Sequence, residues 1–367
     1  MRLAVVDPAL GYSQGHHLAS IVLLSEGMQA DELILVGSYN SSQDTISTLD
    51  RLGLSLNSVF TQPFYQLSDD TGNNESTNYI RLLAAEYVEA LLNTKADKYL
   101  FHTLSWMHAR ALAVALQYLY RQGASLKHCI IFTMFNPGLD HRLKTLDLKV
   151  ESRFSGAFTT LSGIPGVQIF ASCREYSIKY QRLLRRSEPL DLHPIFFENI
   201  RVEVNQDDKG EPLEILYFGD PKIEKGIDKL PELIRRKLAH STGNFLVHIS
   251  SNFDPALEPV IDDVRALSAN ERVELIEGFL KEKQVNNLFE RASKIYLNYD
   301  AAAYGQKTSG LVWIAHFFGL HITVPQETWL AREVEYLKDS EYASSLSTPF
   351  VTWLRSLKNS SLQKTVG

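Results

Sequence analysis

Short β-branched runs alternate with longer segments of helical period along most of this chain, and that alternation narrows the available folds more than any other feature. The first half predicts strands at 3–6, 32–36, 98–101, 128–133 and 167–171, with helical stretches such as 17–26, 78–92, 108–121 and 175–185 among them. From Ser187 to Pro212 the pattern breaks into a polar segment carrying Asn205-Gln206-Asp207-Asp208-Lys209-Gly210, which reads as a connection. The alternation then resumes, with strands at 214–218, 245–250, 273–277, 294–298 and 321–324 and helices at 227–240, 256–267, 285–292 and 310–318. Strands separated by helices of this length pair in parallel and are covered by those helices. The expected fold is α/β, two Rossmann-like domains in tandem. The expected divisions are 1–190, a linker at 191–212, a second domain at 213–340, and an amphipathic terminal helix within 341–367 that could cross back to the first domain. At roughly 150 residues per domain, 367 residues agree with two. Two such domains are expected to place a ligand crevice between the carboxyl ends of their strands.

Charge and cysteine content exclude several functions. Against 43 acidic residues stand 37 basic ones, a net charge of −6, so no general positive field draws the chain to nucleic acid or anionic lipid. Cys129 and Cys173 offer neither a disulfide framework nor metal-ligand spacing and are expected to be buried thiols in a reducing compartment. The amino terminus meets Asp7 and Pro8 too early for a signal peptide. The longest nearly uncharged run, Gly310 to Pro325, falls short of the ~20 residues of a spanning helix. A cytoplasmic protein is expected, with at most peripheral contact at the inner membrane face.

Two segments of the second half carry the strongest chemical signal. In Gly219-Asp220-Pro221-Lys222-Ile223-Glu224-Lys225-Gly226 a strand ends, a turn presents two lysines, and a helix follows, an arrangement that suits a diphosphate. In Tyr299-Asp300-Ala301-Ala302-Ala303-Tyr304-Gly305-Gln306-Lys307-Thr308-Ser309-Gly310 an ammonium, two hydroxyls and a glycine precede a helix, although Thr308 or Ser309 also suits an ordinary N-cap. Ser250, with Ser251 and Asn252, ends a strand where a ligand can approach closely, and it too suits a cap. In the first half, Gly11-Tyr12-Ser13-Gln14-Gly15-His16-His17 matches neither a dinucleotide fingerprint nor a P-loop. Either His16 or His17 could serve as a general base or bond a sugar hydroxyl. His102, Trp106, His108 and Asn136 to Arg142 are weaker candidates for lining a site. No His-Glu-x-x-His, Cys-x-x-Cys or Asp-x-Asp motif occurs, so no protein-held metal is expected.

Taken in order, Tyr217-Phe218-Gly219, Lys225-Gly226-Ile227-Asp228-Lys229-Leu230, Val273 to Gly278, Leu288 to Lys294, and Tyr304 to Gly319 followed by Thr323-Val324-Pro325 resemble the donor domain of GT-B glycosyltransferases. The likeness is to the large retaining group that includes many polysaccharide and lipid-sugar enzymes, and it covers about 213–329. The resemblance implies that Lys225 meets the donor diphosphate, that the backbone near Gly278 and Phe279 receives the base, and that Lys307 to Gly310 cradle phosphate or sugar. Two features depart from the group. Asp220 stands where it usually has arginine, and Ala302 and Gly310 stand where it has paired glutamates; counting back from Gly319 gives Ile314. A subset with tyrosine and then Thr-Ser-Gly in this loop fits better, which brings Tyr299, Tyr304 and Ser309 into the donor site, and Lys222 could replace the missing arginine.

The expected function is transfer of a sugar from a nucleoside-diphosphate sugar, which is a co-substrate, with no separate cofactor. The acceptor would belong to polysaccharide, lipid-linked oligosaccharide or other glycan assembly. Lys225 would stabilise the leaving group, and His16 or His17 would serve an inverting course. A nucleotide-sugar epimerase on the same fold, or a non-catalytic subunit that keeps it, are the alternatives.

Overall fold

A computed structural model describes residues 1–11, 16–62, 64, 73–124, 128–140, 145–196, 213–250 and 253–357. The chain divides into two units, Met1–Phe197 together with Thr348–Gly367, and Glu198–Ser347. The first contains β1 (Leu3–Val6), α1 (His16–Gly27), β2 (Leu33–Ser38), α2 (Gln43–Arg51), β3 (Leu56–Phe60), α3 (Asn73–Asn93), β4 (Lys98–Phe101), α4 (Trp106–Arg121) and β5 (Cys129–Thr133). It continues with a short antiparallel pair, β6 (Leu139–Asp140) and β7 (Thr145–Leu146), then α5 (Leu148–Ser162), β8 (Val167–Ala171) and α6 (Arg174–Leu183). Six parallel strands form its sheet in the order β3-β2-β1-β4-β5-β8. Every residue of β1, β4 and β5 is buried, the mark of a parallel sheet covered on both faces.

The second unit repeats the plan with β9 (Leu213–Gly219), α7 (Leu230–His240), β10 (Asn244–Ile249), α8 (Glu258–Leu267), β11 (Val273–Glu277), α9 (Glu282–Arg291) and β12 (Ala292–Tyr296). Then come α10 (Ala301–Tyr304), α11 (Leu311–Phe317), β13 (His321–Thr323), α12 (Trp329–Tyr336) and α13 (Ser340–Ser347). Its five parallel strands run β11-β10-β9-β12-β13. In both sheets the order reverses beside the first strand, between β1 and β4 and between β9 and β12. Such a reversal opens a crevice at the carboxyl ends of the two strands, where ligands of α/β sheets bind.

The terminal segment is not one helix. Pro349 lacks an N–H and sits with extended ψ as the N-cap of α14 (Phe350–Ser356), so α13 and α14 are separate and fall in different units. Phe350, Leu354 and Trp353 of α14 join the core of the first sheet beside Phe132 and Phe170. Lys98, at the start of β4, donates to the carbonyls of Leu354 and Leu357 at 3.0 Å each and so satisfies the otherwise open end of α14. The predicted connection at 191–212 lies mostly outside the described residues. Among the described residues no helix is long and apolar enough to cross a membrane.

Candidate functional site

The second sheet builds its site from the turn after β9 and the segment after β12. β9 is apolar because it lies at the centre of the sheet, and it ends at Gly219, whose φ of 107° only glycine adopts readily. The turn beyond is tied down at several points. Tyr217 Oη donates to the Asp220 carbonyl at 2.8 Å and accepts from the Lys222 N–H at 3.1 Å. Ser250, at the end of β10, donates its hydroxyl to Asp220 Oδ1 at 2.6 Å. Ser250 therefore supports the turn.

The helix expected at Ile227 starts later. Two 3-10 turns, Ile223–Lys225 and Ile227–Lys229, flank Gly226, and α7 begins at Leu230. The glycine explains the arrangement: at φ 79° a Cβ on Gly226 would run into the carbonyl of Asn298, so its absence lets this turn lie against the segment after β12. The Asp300 N–H then donates to the Glu224 carbonyl at 2.9 Å, and Lys307 Nζ donates to Glu224 Oε1 at 2.7 Å. Glu224, which the sequence pattern did not single out, joins the two segments. Its only sequence signal is a carboxylate set between two lysines.

Lys225 is the least solvated ammonium of this cluster. Burial holds its pKa below the ordinary lysine value, Lys222 and Lys307 push it the same way, and Asp220 and Glu224 oppose them. Three ammonium groups thus meet two carboxylates, leaving a surplus of one positive charge for an incoming anion. Lys222 is exposed and lies 3.8 Å from Asp220 Oδ2. Behind the lysines Tyr299 and Tyr304 pack with ring centroids 4.4 Å apart, and Lys307 stands 5.0 Å over the Tyr304 ring. Burial pushes the Tyr299 phenol up to about 12, with Ser309 3.5 Å away as its hydroxyl partner.

Lys307 to Gly310 precede a helix as expected, and only the capping residue differs from the expectation. α11 begins at Leu311 with Gly310 as its N-cap in helical conformation, and neither Thr308 nor Ser309 caps it. Lys307 is committed to Glu224 rather than aimed alone at an anion. Beyond β11, Gly278 at φ 101° donates to the Ile249 carbonyl at 2.9 Å and accepts from His248 Nε2 at 2.8 Å. Phe279 follows with two thirds of its surface exposed, a bare ring at the same end of the sheet. Ser251 and Asn252 lie outside the described residues.

In the first unit, the structure describes the side chain of His17, one of the two candidate histidines. Its Nδ1 lies 2.7 Å from Asp7 Oδ2, and both side chains are buried. The side chain of His16 lies outside the described residues. His102 is fully buried, its ring 5.1 Å from that of His17. His108 is also fully buried, bonded to Ser105 Oγ at 2.7 Å and Tyr79 Oη at 3.2 Å, and burial pushes its pKa down to about 3, so it is a neutral core residue. Trp106 is buried under the Arg153 guanidinium, and Asn136 is buried and accepts from Lys179 at 3.2 Å. His141 and Arg142 lie outside the described residues. Both cysteines are buried thiols outside any disulfide, and burial pushes the Cys129 thiol up to about 12.

No protein-family model matches the chain, and no curated protein sequence matches it. Solved structures do. HepE from Anabaena in complex with UDP-glucose is similar over 98% of this chain and 96% of its own, at 10% identity and a TM-score of 0.54. Sucrose-phosphate synthase from Thermosynechococcus elongatus is similar over 97% and 95%, at 11% identity and 0.53. UDP-GlcNAc 2-epimerase from Neisseria meningitidis bound to UDP-GlcNAc is similar over 95% and 96%, at 13% identity and 0.50. Across both sheets and the connections between their strands, this chain has the GT-B fold.

Proposed function

We propose that this chain is a glycosyltransferase that takes a sugar from a nucleoside-diphosphate sugar held by its second unit. One observation carries the reading: Lys222, Lys225 and Lys307 gather beside Gly219, at the strand-order reversal of the second sheet, in a fold whose solved relatives hold UDP or UDP-sugars. Transfer requires that the negative charge growing on the departing diphosphate be stabilised. A desolvated ammonium does this better than a hydrated one, because its interaction with the anion is less screened. Lys225 takes that role, and the Asp220 and Glu224 carboxylates favour its charged form against the effect of burial. Phe279 offers a face for the base, and Tyr299, Tyr304 and Ser309 border the sugar side. The acceptor is a glycan or lipid-linked hydroxyl.

An epimerase shares the donor site, since UDP-GlcNAc 2-epimerases are among the similar structures. The two readings separate on acceptor dependence. The purified chain is incubated with UDP-, GDP- and ADP-sugars, with and without a panel of glycan acceptors. Acceptor-dependent release of the nucleoside diphosphate is expected. Conversion of the donor without acceptor would make the chain an epimerase, and binding without turnover a non-catalytic subunit.

A further inference from the structure

The first unit contains a second cluster of chemical groups that the donor reading does not use. β1 and β4 are neighbours whose last residues, Val6 and Phe101, are in register, so Asp7 and His102 leave the sheet side by side. His17, in the first turn of α1, completes the group. One ligand atom from each of the three lies within 4.8 Å of the other two, and all three residues are buried. We propose that Asp7, His17 and His102 form a binding site for a divalent transition-metal ion, Zn²⁺ being the best match.

Several features support the assignment. A buried carboxylate requires a compensating charge, yet no lysine or arginine among the described residues pairs with Asp7; its partners are the Ala9 N–H at 2.9 Å and His17. Two imidazoles and a carboxylate are a borderline-soft donor set that suits Zn²⁺ and its neighbours and not Mg²⁺ or Ca²⁺, which prefer oxygen. The Ala9 N–H fixes one Asp7 oxygen and so orients the other, as groups behind metal ligands commonly do. Finally, Thr103 holds a left-handed φ of 55° although it is β-branched and buried. Strain of that kind persists where the surroundings dictate the backbone, and here it fixes the residue next to His102. The site lies at the strand-order reversal of the first sheet, the position the lysine cluster occupies in the second.

The test uses the full chain, stripped with a chelator and dialysed, then titrated with Co²⁺ and with Zn²⁺. One Co²⁺ per chain with visible absorption from nitrogen ligation is expected, together with a raised thermal midpoint in Zn²⁺ and none in Mg²⁺. Asp7→Asn and His102→Gln should each weaken binding about 100-fold, while His321→Gln, at an exposed strand end, should not change it. Failure of the unmodified chain to bind either ion, or binding that survives both site variants, would overturn the proposal and leave a proton-sharing Asp–His cluster. If the variants do not fold, imidazole NMR of the unmodified chain decides: two buried histidines must shift with one equivalent of Zn²⁺, and unshifted resonances refute the site. Nucleotide binding by the second unit is measured separately, so failure of either reading leaves the other standing.

Discussion

The two sheets of this protein reverse their strand order at the same topological position and put different chemistry there. Between β9 and β12 the second unit places lysines on half-exposed turns, held by Tyr217, Ser250 and Glu224. Between β1 and β4 the first unit buries a carboxylate against imidazole. Topology sets where a ligand can be met, and residue chemistry sets which one. A surplus of ammonium on turns suits a mobile, doubly charged anion that must enter and leave. A buried Asp–His–His set suits a small cation or a proton.

That contrast can be broken in several ways. Lys225→Ala has the largest expected effect: turnover of the donor should fall about 10²- to 10³-fold, as when one preorganised charge donor is removed from a transition state. The thermal midpoint should stay near the parent value, because a partly desolvated ammonium contributes little to stability. Steady-state kinetics with thermal melts check both, and near-normal turnover would remove the donor assignment.

The acid side of the stability profile sharpens the other half. Burial lowers the pKa of His193 to about 4 and of His108 to about 3, so the unfolded chain binds protons first as the pH falls below about 6.5. The stability these two neutral histidines contribute is complete above that pH and is lost as the pH falls from about 6.5 to about 4 for His193 and to about 3 for His108. His193 alone accounts for roughly 3 kcal/mol of this loss. Its ring stacks on Phe132 at 4.3 Å, so His193→Phe should flatten the acid limb in denaturant titrations between pH 7 and 4. An unchanged slope would show that His193 is not held neutral.

Gly226→Ala should cost about 1–3 kcal/mol, because it strains a left-handed residue and drives a Cβ into the Asn298 carbonyl. Gly278→Ala, also left-handed but with open space around the added carbon, should cost less. Equal losses in denaturant melts would remove the close approach between the two turns. Smallest is Lys307→Gln, which removes the ammonium paired with Glu224 and should weaken nucleotide binding about two- to fivefold, the size of a partly exposed charge pair.

Much of the fold is legible in the sequence because central strands of a parallel sheet are continuous apolar runs. β1 and β4, central in the first sheet, begin and end where the pattern predicts, and so do β8 and β11 although they are edge strands. β3 is not marked, since this edge strand reads Leu-Asn-Ser-Val-Phe with only Phe60 fully buried, and α2 beside it is short and polar. The Lys225 turn is legible because its residues are contiguous. The ion pair from Glu224 to Lys307 is not, because it joins segments that only the strand order brings together. Asp7, His17 and His102 likewise come from three separate elements, which no spacing motif can register.

The most direct measurement is calorimetric titration of the unmodified chain and of Lys225→Ala with UDP, GDP and ADP, at neutral and at alkaline pH. One diphosphate site per chain is expected, selective for one base and weakened in the variant. Affinity for the unmodified chain should fall as alkali removes the Lys225 proton, and at lower pH than for an ordinary lysine, because burial has lowered its pKa. Binding of equal strength in both proteins, or no binding of any diphosphate to the folded chain, would contradict the donor assignment.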